Sequence, residues 1–187
     1  DYIIFDEVHH IAANSYRPIL DKFSPKILLG LTATPERMDN EDILLDFCNT
    51  IAAEIRLPEA LNRKLLCPFQ YFGITDSIDL SQVTWQNGKY LPSELSKIYT
   101  QSDYRVGEIH KNLNKYLNDI NDVRALCFCV TQEHAQYMAE KFTLLGYKAD
   151  YLVSSRNQFR EELRLKFKSK EINYLFIVDI FNEGVDI

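Results

Sequence analysis

Four apolar residues, Tyr2 to Phe5 in "DYIIFDEVHH", end in two adjacent carboxylates, Asp6 and Glu7, and two histidines follow. Neighbouring acids can divide labour: one holds a hard divalent cation through oxygen, the other orients a water molecule or takes its proton. The same pair can equally cap a following helix, whose N-terminus attracts negative charge. On these residues alone the two readings stand even. A second apolar run, "KILLGLTATPER", ends in the hydroxyls of Thr32 and Thr34, with Ala33 between them. A third, "RALCFCV", ends at Thr131, and the last, "NYLFIVDIFNEGVDI", runs into Asn182, Glu183, Gly184 and Asp186. In open parallel sheets ligands gather beyond the carboxyl ends of the strands, so chemistry is expected at these polar endings.

The elements that must position them follow from periodicity. "YIIF" and "KILLG" are short, uninterrupted apolar runs, as in strands covered on both faces. Between them "NSYRPILDKF" has helical spacing, shortened by Pro18. "NEDILLDFCNT" is expected to be a helix capped by Asn40. Strand, helix, strand, helix predicts a parallel α/β sheet. The pattern breaks over "LPEALNRKLLCP", and a new strand is expected at "FQYFGITD", then a tight turn at Asn87-Gly88. An amphipathic helix follows through Val106, Ile109, Leu113 and Leu117. Next come the strand "VRALCFCV", a helix ending at Gly146, the strand "ADYLV", a helix over "NQFREELRLKFKS" and a closing strand.

Of 187 residues 46% are apolar, enough for one large or two small cores. Net charge is −6, so attraction to nucleic acid must come from a local patch. No apolar stretch approaches the ~20 residues needed to cross a bilayer. Cys48, Cys67, Cys127 and Cys129 suggest neither a disulfide framework nor a zinc site; four buried thiols in a reducing cytoplasm are expected.

Apolar residues followed by Asp-Glu form the Walker B pattern. "DEVHH" followed by "LTATPER" resembles motifs II and III of the superfamily 2 helicases and translocases, and the longer "TATPxR" form is similar to their branch with type I and type III restriction-enzyme motor subunits and XPB-like helicases. "ALCFCVTQEHAQYMAEKF" resembles motif IV and "FIVDIFNEGVDI" motif V, so the resemblance covers essentially the whole chain. It implies an α/β fold of two RecA-like parallel-sheet domains, both incomplete: residues 1–58 from the first, 59–68 a linker, 69–187 from the second. It implies ATP hydrolysis with Mg²⁺ between the two domains, and movement on nucleic acid, DNA being the expected kind. In that scheme Asp6 holds Mg²⁺, Glu7 activates water, and His9 links the nucleotide site to motif III. Thr32, Ala33 and Thr34 couple hydrolysis to movement. Gly184 and Asp186 approach the nucleotide; Thr131, Asn182 and Glu183 contact nucleic acid.

The phosphate-cradling GxxxxGK[ST] is not found: at Gly88-Lys89, Val83 stands where the first glycine belongs and Tyr90 where the hydroxyl belongs. No Gln-x-x-Gly-Arg-x-x-Arg segment supplies an arginine finger. The chain is therefore expected to be a piece of a longer motor, inactive on ATP by itself. Nuclease or accessory domains are conceivable in the parent; its oligomeric state is open. Two rivals remain: a double-strand translocase subunit of a restriction-type nuclease, and a non-catalytic nucleic-acid-binding module. Arg156, Arg160, Arg164 and Lys168 recur every four residues, either as a track for phosphates, with Arg156 leading, or as a solvated helix face, the favoured alternative. Trp85 is the one candidate aromatic wedge.

Overall fold

The computed structural model describes residues 2–8, 17–33 and 43–178. They fall in two compact units, Asp1–Ile74 and Thr75–Ile187, each an α/β arrangement with a parallel sheet.

In the first unit β1 (Tyr2–Phe5) pairs in parallel with β2 (Ile27–Gly30), Tyr2 opposite Ile27 and Phe5 opposite Gly30. The helix between them, α1 (Arg17–Lys22), supplies the crossover that parallel pairing demands. Side chains alternate across the sheet. Phe5 and Val8 are buried with Ile3, Leu20, Leu28 and Phe47 packed against them, whereas Tyr2, Ile4, Ile27 and Leu29 on the opposite face are exposed. The helix expected over 41–50 is, in its described part, a 3₁₀ turn at Ile43–Phe47. It ends where Cys48 and Asn49 both take left-handed conformations, φ 55° and 50°, which no α-helix continues through. The expected cap Asn40 lies outside the described residues. Helix α2 (Leu57–Asn62) then opens with Pro58 at its start, where a missing N–H costs nothing. The segment 59–68, read as a linker, thus begins inside a helix.

The strand expected at "FQYFGITD" does not form: residues 69–80 have neither strand nor helix, and Phe69, Tyr71 and Ile74 are exposed. β-forming residues make a strand only where a neighbour supplies the ladder, and no described strand pairs with them. The thiols also need correction. Cys48 and Cys67 are exposed, one in the left-handed turn and one in irregular chain, while Cys127 and Cys129 are partly buried.

The second unit begins with a hairpin, β3 (Trp85–Gln86) and β4 (Lys89–Tyr90). Asn87 (φ 52°) and Gly88 (φ 75°) form the left-handed turn their dipeptide predicted. Helix α3 (Pro92–Thr100) follows, an element the periodicity reading missed although Pro92 at its first turn is a start signal. After α4 (Tyr104–Tyr116) come β5 (Ala125–Phe128), α5 (Gln132–Leu144), β6 (Ala149–Leu152), a 3₁₀ segment (Ser154–Phe159), α6 (Arg160–Lys168) and β7 (Tyr174–Ile177). The sheet order is β5-β7-β6, all parallel. Its central strand β7 is buried at every position, so both faces need cover. Tyr174 and Phe176 pack with Val106, Met138 and Phe142 of α4 and α5; Leu175 and Ile177 pack with Leu163 and Phe167 of α6. Buried Asn173 ties the sheet's amino end together, its amide donating to Asn121 O and Val123 O.

Phe142 is 1% exposed and meets Tyr147, Tyr174 and Phe176 at 5.1–5.5 Å between ring centroids. Phe142→Ala is expected to destabilise the second unit by about 3–5 kcal/mol, read as a lower urea midpoint with a similar slope.

Candidate functional site

Parallel pairing brings the ends of β1 and β2 to one edge, and two backbone bonds carry the pairing further. Leu31 N donates to Phe5 O at 2.8 Å, and Val8 N donates to Leu31 O at 2.9 Å. Asp6-Glu7 and Thr32-Ala33 therefore leave the same edge side by side. Asp6 is exposed, and its Oδ1 accepts the Glu7 N–H at 3.0 Å. Glu7 has φ 49°, a left-handed conformation that costs an ordinary residue about 1–2 kcal/mol. This kink breaks the strand's alternation. It leaves Glu7 half-buried and turns Val8 into the core.

Gly30 is the support beneath. A Cβ there would stand 2.9 Å from both Phe47 Cζ and Val8 Cγ1, inside any normal carbon contact. Only a residue without a side chain lets Val8 and Phe47 close under the acids. Thr32 is half-buried and Ala33 exposed just beyond. His9, Thr34, Asn182, Glu183, Gly184 and Asp186 lie outside the described residues.

Among the described residues no group of three or more His, Cys, Asp or Glu forms a metal cage. The Asp6–Glu7 pair nevertheless suits Mg²⁺, which takes one or two carboxylates and completes its shell with water and phosphate oxygens.

In the second unit Thr131 ends the β5 run and caps α5. Its Oγ1 accepts from His134 N at 3.1 Å and lies 2.6 Å from Ser96 Oγ of α3. The Ser96 contact was not legible from periodicity; the start signal of α3 was its one trace. Nearby, the Gln132 side chain donates to Ser154 Oγ and accepts from Ser155 Oγ, both at 2.8 Å. His134 is buried; its Nδ1 accepts the Val130 N–H at 3.4 Å. Burial first, and the Arg105 charge second, push its pKa down to about 4. Burial pushes the thiols of Cys127 and Cys129 up to about 12, which leaves them unreactive at neutral pH.

The basic stripe does not form as drawn. Arg156 sits at a non-helical kink (φ −114°, ψ 19°) ahead of α6. Its guanidinium donates to Asp150 Oδ1 and Tyr151 O, both at 2.8 Å, and lies over the Tyr151 ring. Arg164 is paired with Glu161. Arg156 thus braces β6 and the turn after it.

The profile of the family described as "Type III restriction enzyme, res subunit" matches residues 1–37. A 51.5 kDa protein of a Lactococcus phage is 28% identical over 99% of this chain and 40% of its own length. A Saccharomyces cerevisiae protein, IRC3, assigned by name to the ATP-dependent helicases, is 30% identical over 99% of this chain and 28% of its own length. XPB2 of Sulfurisphaera tokodaii, named a DNA 3′-5′ translocase, is 23% identical over 99% of this chain and 49% of its own length. The chain thus spans less than half of each of these relatives.

Two outcomes follow from the geometry. Gly30→Ala should overpack the first unit and destabilise it by about 1–3 kcal/mol in urea denaturation. For His134 the folded pKa lies below the unfolded 6.5, so as pH falls from about 6.5 toward 4 the unfolded chain takes up the proton first and stability is lost. The loss attributable to this group is roughly 2 kcal/mol at pH 5. His134→Gln should flatten that part of the stability–pH slope relative to the wild type.

Proposed function

We propose that this chain, a relative of the superfamily 2 helicases and translocases, is part of an ATP-driven motor acting on nucleic acid, with DNA as its track. The observation that carries the reading is that Asp6-Glu7 and Thr32 both follow the ends of paired parallel strands, at one edge of the sheet. Residues 1–58 are read as part of a first RecA-like domain and 69–187 as part of a second, an assignment supported by two units that each hold a parallel sheet.

In this reading Asp6, exposed and at the strand's end, is the carboxylate that holds Mg²⁺. When bound, the cation would supply positive charge that neutralises the phosphates. Glu7, half-buried and set by its left-handed backbone, orients a water molecule and accepts its proton. Thr32, joined to the acids through the Leu31–Val8 bond, is placed to sense a shift of Glu7, with Ala33 and Thr34 continuing the coupling segment. His9 is assigned to the same link. Gly184 and Asp186 are assigned to the nucleotide, and Asn182, Glu183 and Thr131 to nucleic acid; the Thr131 hydroxyl, already committed to its cap, acts there through the backbone it holds. The relatives named for helicase and translocase activity support an ATP-dependent motor.

A second reading, a double-strand translocase coupled to a nuclease, is favoured by the restriction-subunit match over residues 1–37. A type I restriction enzyme EcoAI endonuclease subunit of Escherichia coli is also 27% identical over 74% of this chain and 19% of its own length.

In the full-length protein, Glu7→Gln should lower ATP turnover by at least a hundredfold while nucleotide binding persists, because only the proton acceptor is lost. Asp6→Asn should weaken Mg²⁺-dependent nucleotide binding itself. Turnover unchanged in Glu7→Gln would remove that residue from its role.

A further inference from the structure

We propose that Trp85, carried on the β3–β4 hairpin, is a stacking platform for an unpaired base of single-stranded nucleic acid. The inference rests on the nucleic-acid reading above and adds a contact outside the residues assigned there.

A single exposed aromatic residue is ordinary on a protein surface. Trp85 is 62% exposed on a mount built to hold it still. The left-handed Asn87-Gly88 turn closes the hairpin tip. At its base Leu91 N donates to Thr84 O at 3.0 Å. The Glu94 carboxylate accepts from Thr84 twice, the backbone N–H at 2.7 Å and the hydroxyl at 3.2 Å. Val83 is buried just before the indole, and Tyr90 meets it edge-on at 4.7 Å and 79°. The hairpin that carries the indole is therefore set before any partner arrives, which lowers the entropic cost of binding.

The chemistry around it suits a polyanion with flat bases. Residues 85–89 offer an indole, the amides of Gln86 and Asn87, and the Lys89 ammonium. From Val83 to Ser93 no side chain is acidic, in a chain whose net charge is −6. Glu94, the next acid, already faces the Thr84 donors. Stacking on an aromatic ring tolerates any base but needs one out of the duplex stack, which selects single strands.

Trp85 is the chain's single tryptophan, so its emission reports this site alone. This 187-residue chain is titrated with fluorescently labelled oligo(dT) and oligo(U) of about 15 nucleotides, following strand anisotropy. Parallel titrations with unlabelled strands follow tryptophan emission. The proposal expects quenching that saturates with binding of either strand. It expects roughly tenfold weaker binding for Trp85→Ala and near wild-type affinity for Trp85→Phe, which keeps an aromatic face. Far-UV circular dichroism establishes that both variants fold. Anisotropy showing binding with unchanged emission, and with equal affinity for Trp85→Ala, overturns the stacking role while leaving the nucleic-acid reading intact; the indole would then serve an apolar protein surface instead. Absence of binding to either strand, and to a labelled duplex of the same length, at low salt overturns both.

Discussion

A parallel ladder sends every strand out at the same edge, and the rest of this molecule is arranged around that constraint. In the first unit it means that a carboxylate pair and a hydroxyl segment, separated by more than twenty residues of chain, emerge as neighbours. The backbone bonds Leu31 to Phe5 and Val8 to Leu31 bring them together, and Gly30 permits the close approach of Val8 and Phe47 beneath. The left-handed Glu7 is the corollary. A strand that must place two successive acids at its edge while burying the next residue has to leave the pleat abruptly, and the strain is tolerated because Val8 is fixed below.

The second unit meets the same constraint with helices on both faces of β7. Its polar edge is more occupied. Thr131 caps α5 and touches Ser96; Gln132 bridges two serines after β6; Arg156 is held by Asp150 and the Tyr151 carbonyl. These contacts pin α3, α5 and the turn after β6 to one another. A hydroxyl committed in this way supplies position to its backbone more than a free contact to a ligand, so the motif's threonine is legible as chemistry in the sequence and as architecture in the structure.

How far the fold could be read in advance depended on whether an element's cause was local. The five strands of the two parallel sheets announced themselves as short, largely apolar runs of residues that fit a pleated, at least half-buried surface, although only β7 is buried along its whole length and Tyr2, Ile4, Ile27 and Leu29 stay exposed. The Asn87-Gly88 turn was legible because its left-handed angles leave few residue choices. "FQYFGITD" failed because strand formation is a property of two segments and only one was in view. Helix α3 was passed over because its apolar stripe is thin, with Leu95 and Ile98 only half-buried beside a buried serine. Four-residue spacing puts Arg156 on a helix face, but spacing alone does not reveal the kink that removes it. Of the candidate site, the acids and Thr32 could be named from their place after apolar runs, whereas the role of Gly30 depended on the fold bringing Phe47 across it.

Electrostatics limits how such a chain can hold a polyanion. Among the described residues of the second unit several cations are matched locally: Arg105 with Asp76, Lys141 with Asp103, Arg156 with Asp150, Arg164 with Glu161, Lys166 with Glu162, Lys170 with Asp122. Exposed pairs of this kind contribute little to stability, about 0–1 kcal/mol each, so a phosphate could compete for the cation at small cost. The displaced carboxylate would then sit beside the phosphate and repel it, cancelling much of the gain. Counterion release at these paired cations is correspondingly small. In the proposed reading the paired cations of the second unit would leave more of the grip on nucleic acid to backbone amides, hydroxyls and a stacked ring, so an exposed indole in an acid-free stretch carries more weight there than it would on a basic protein.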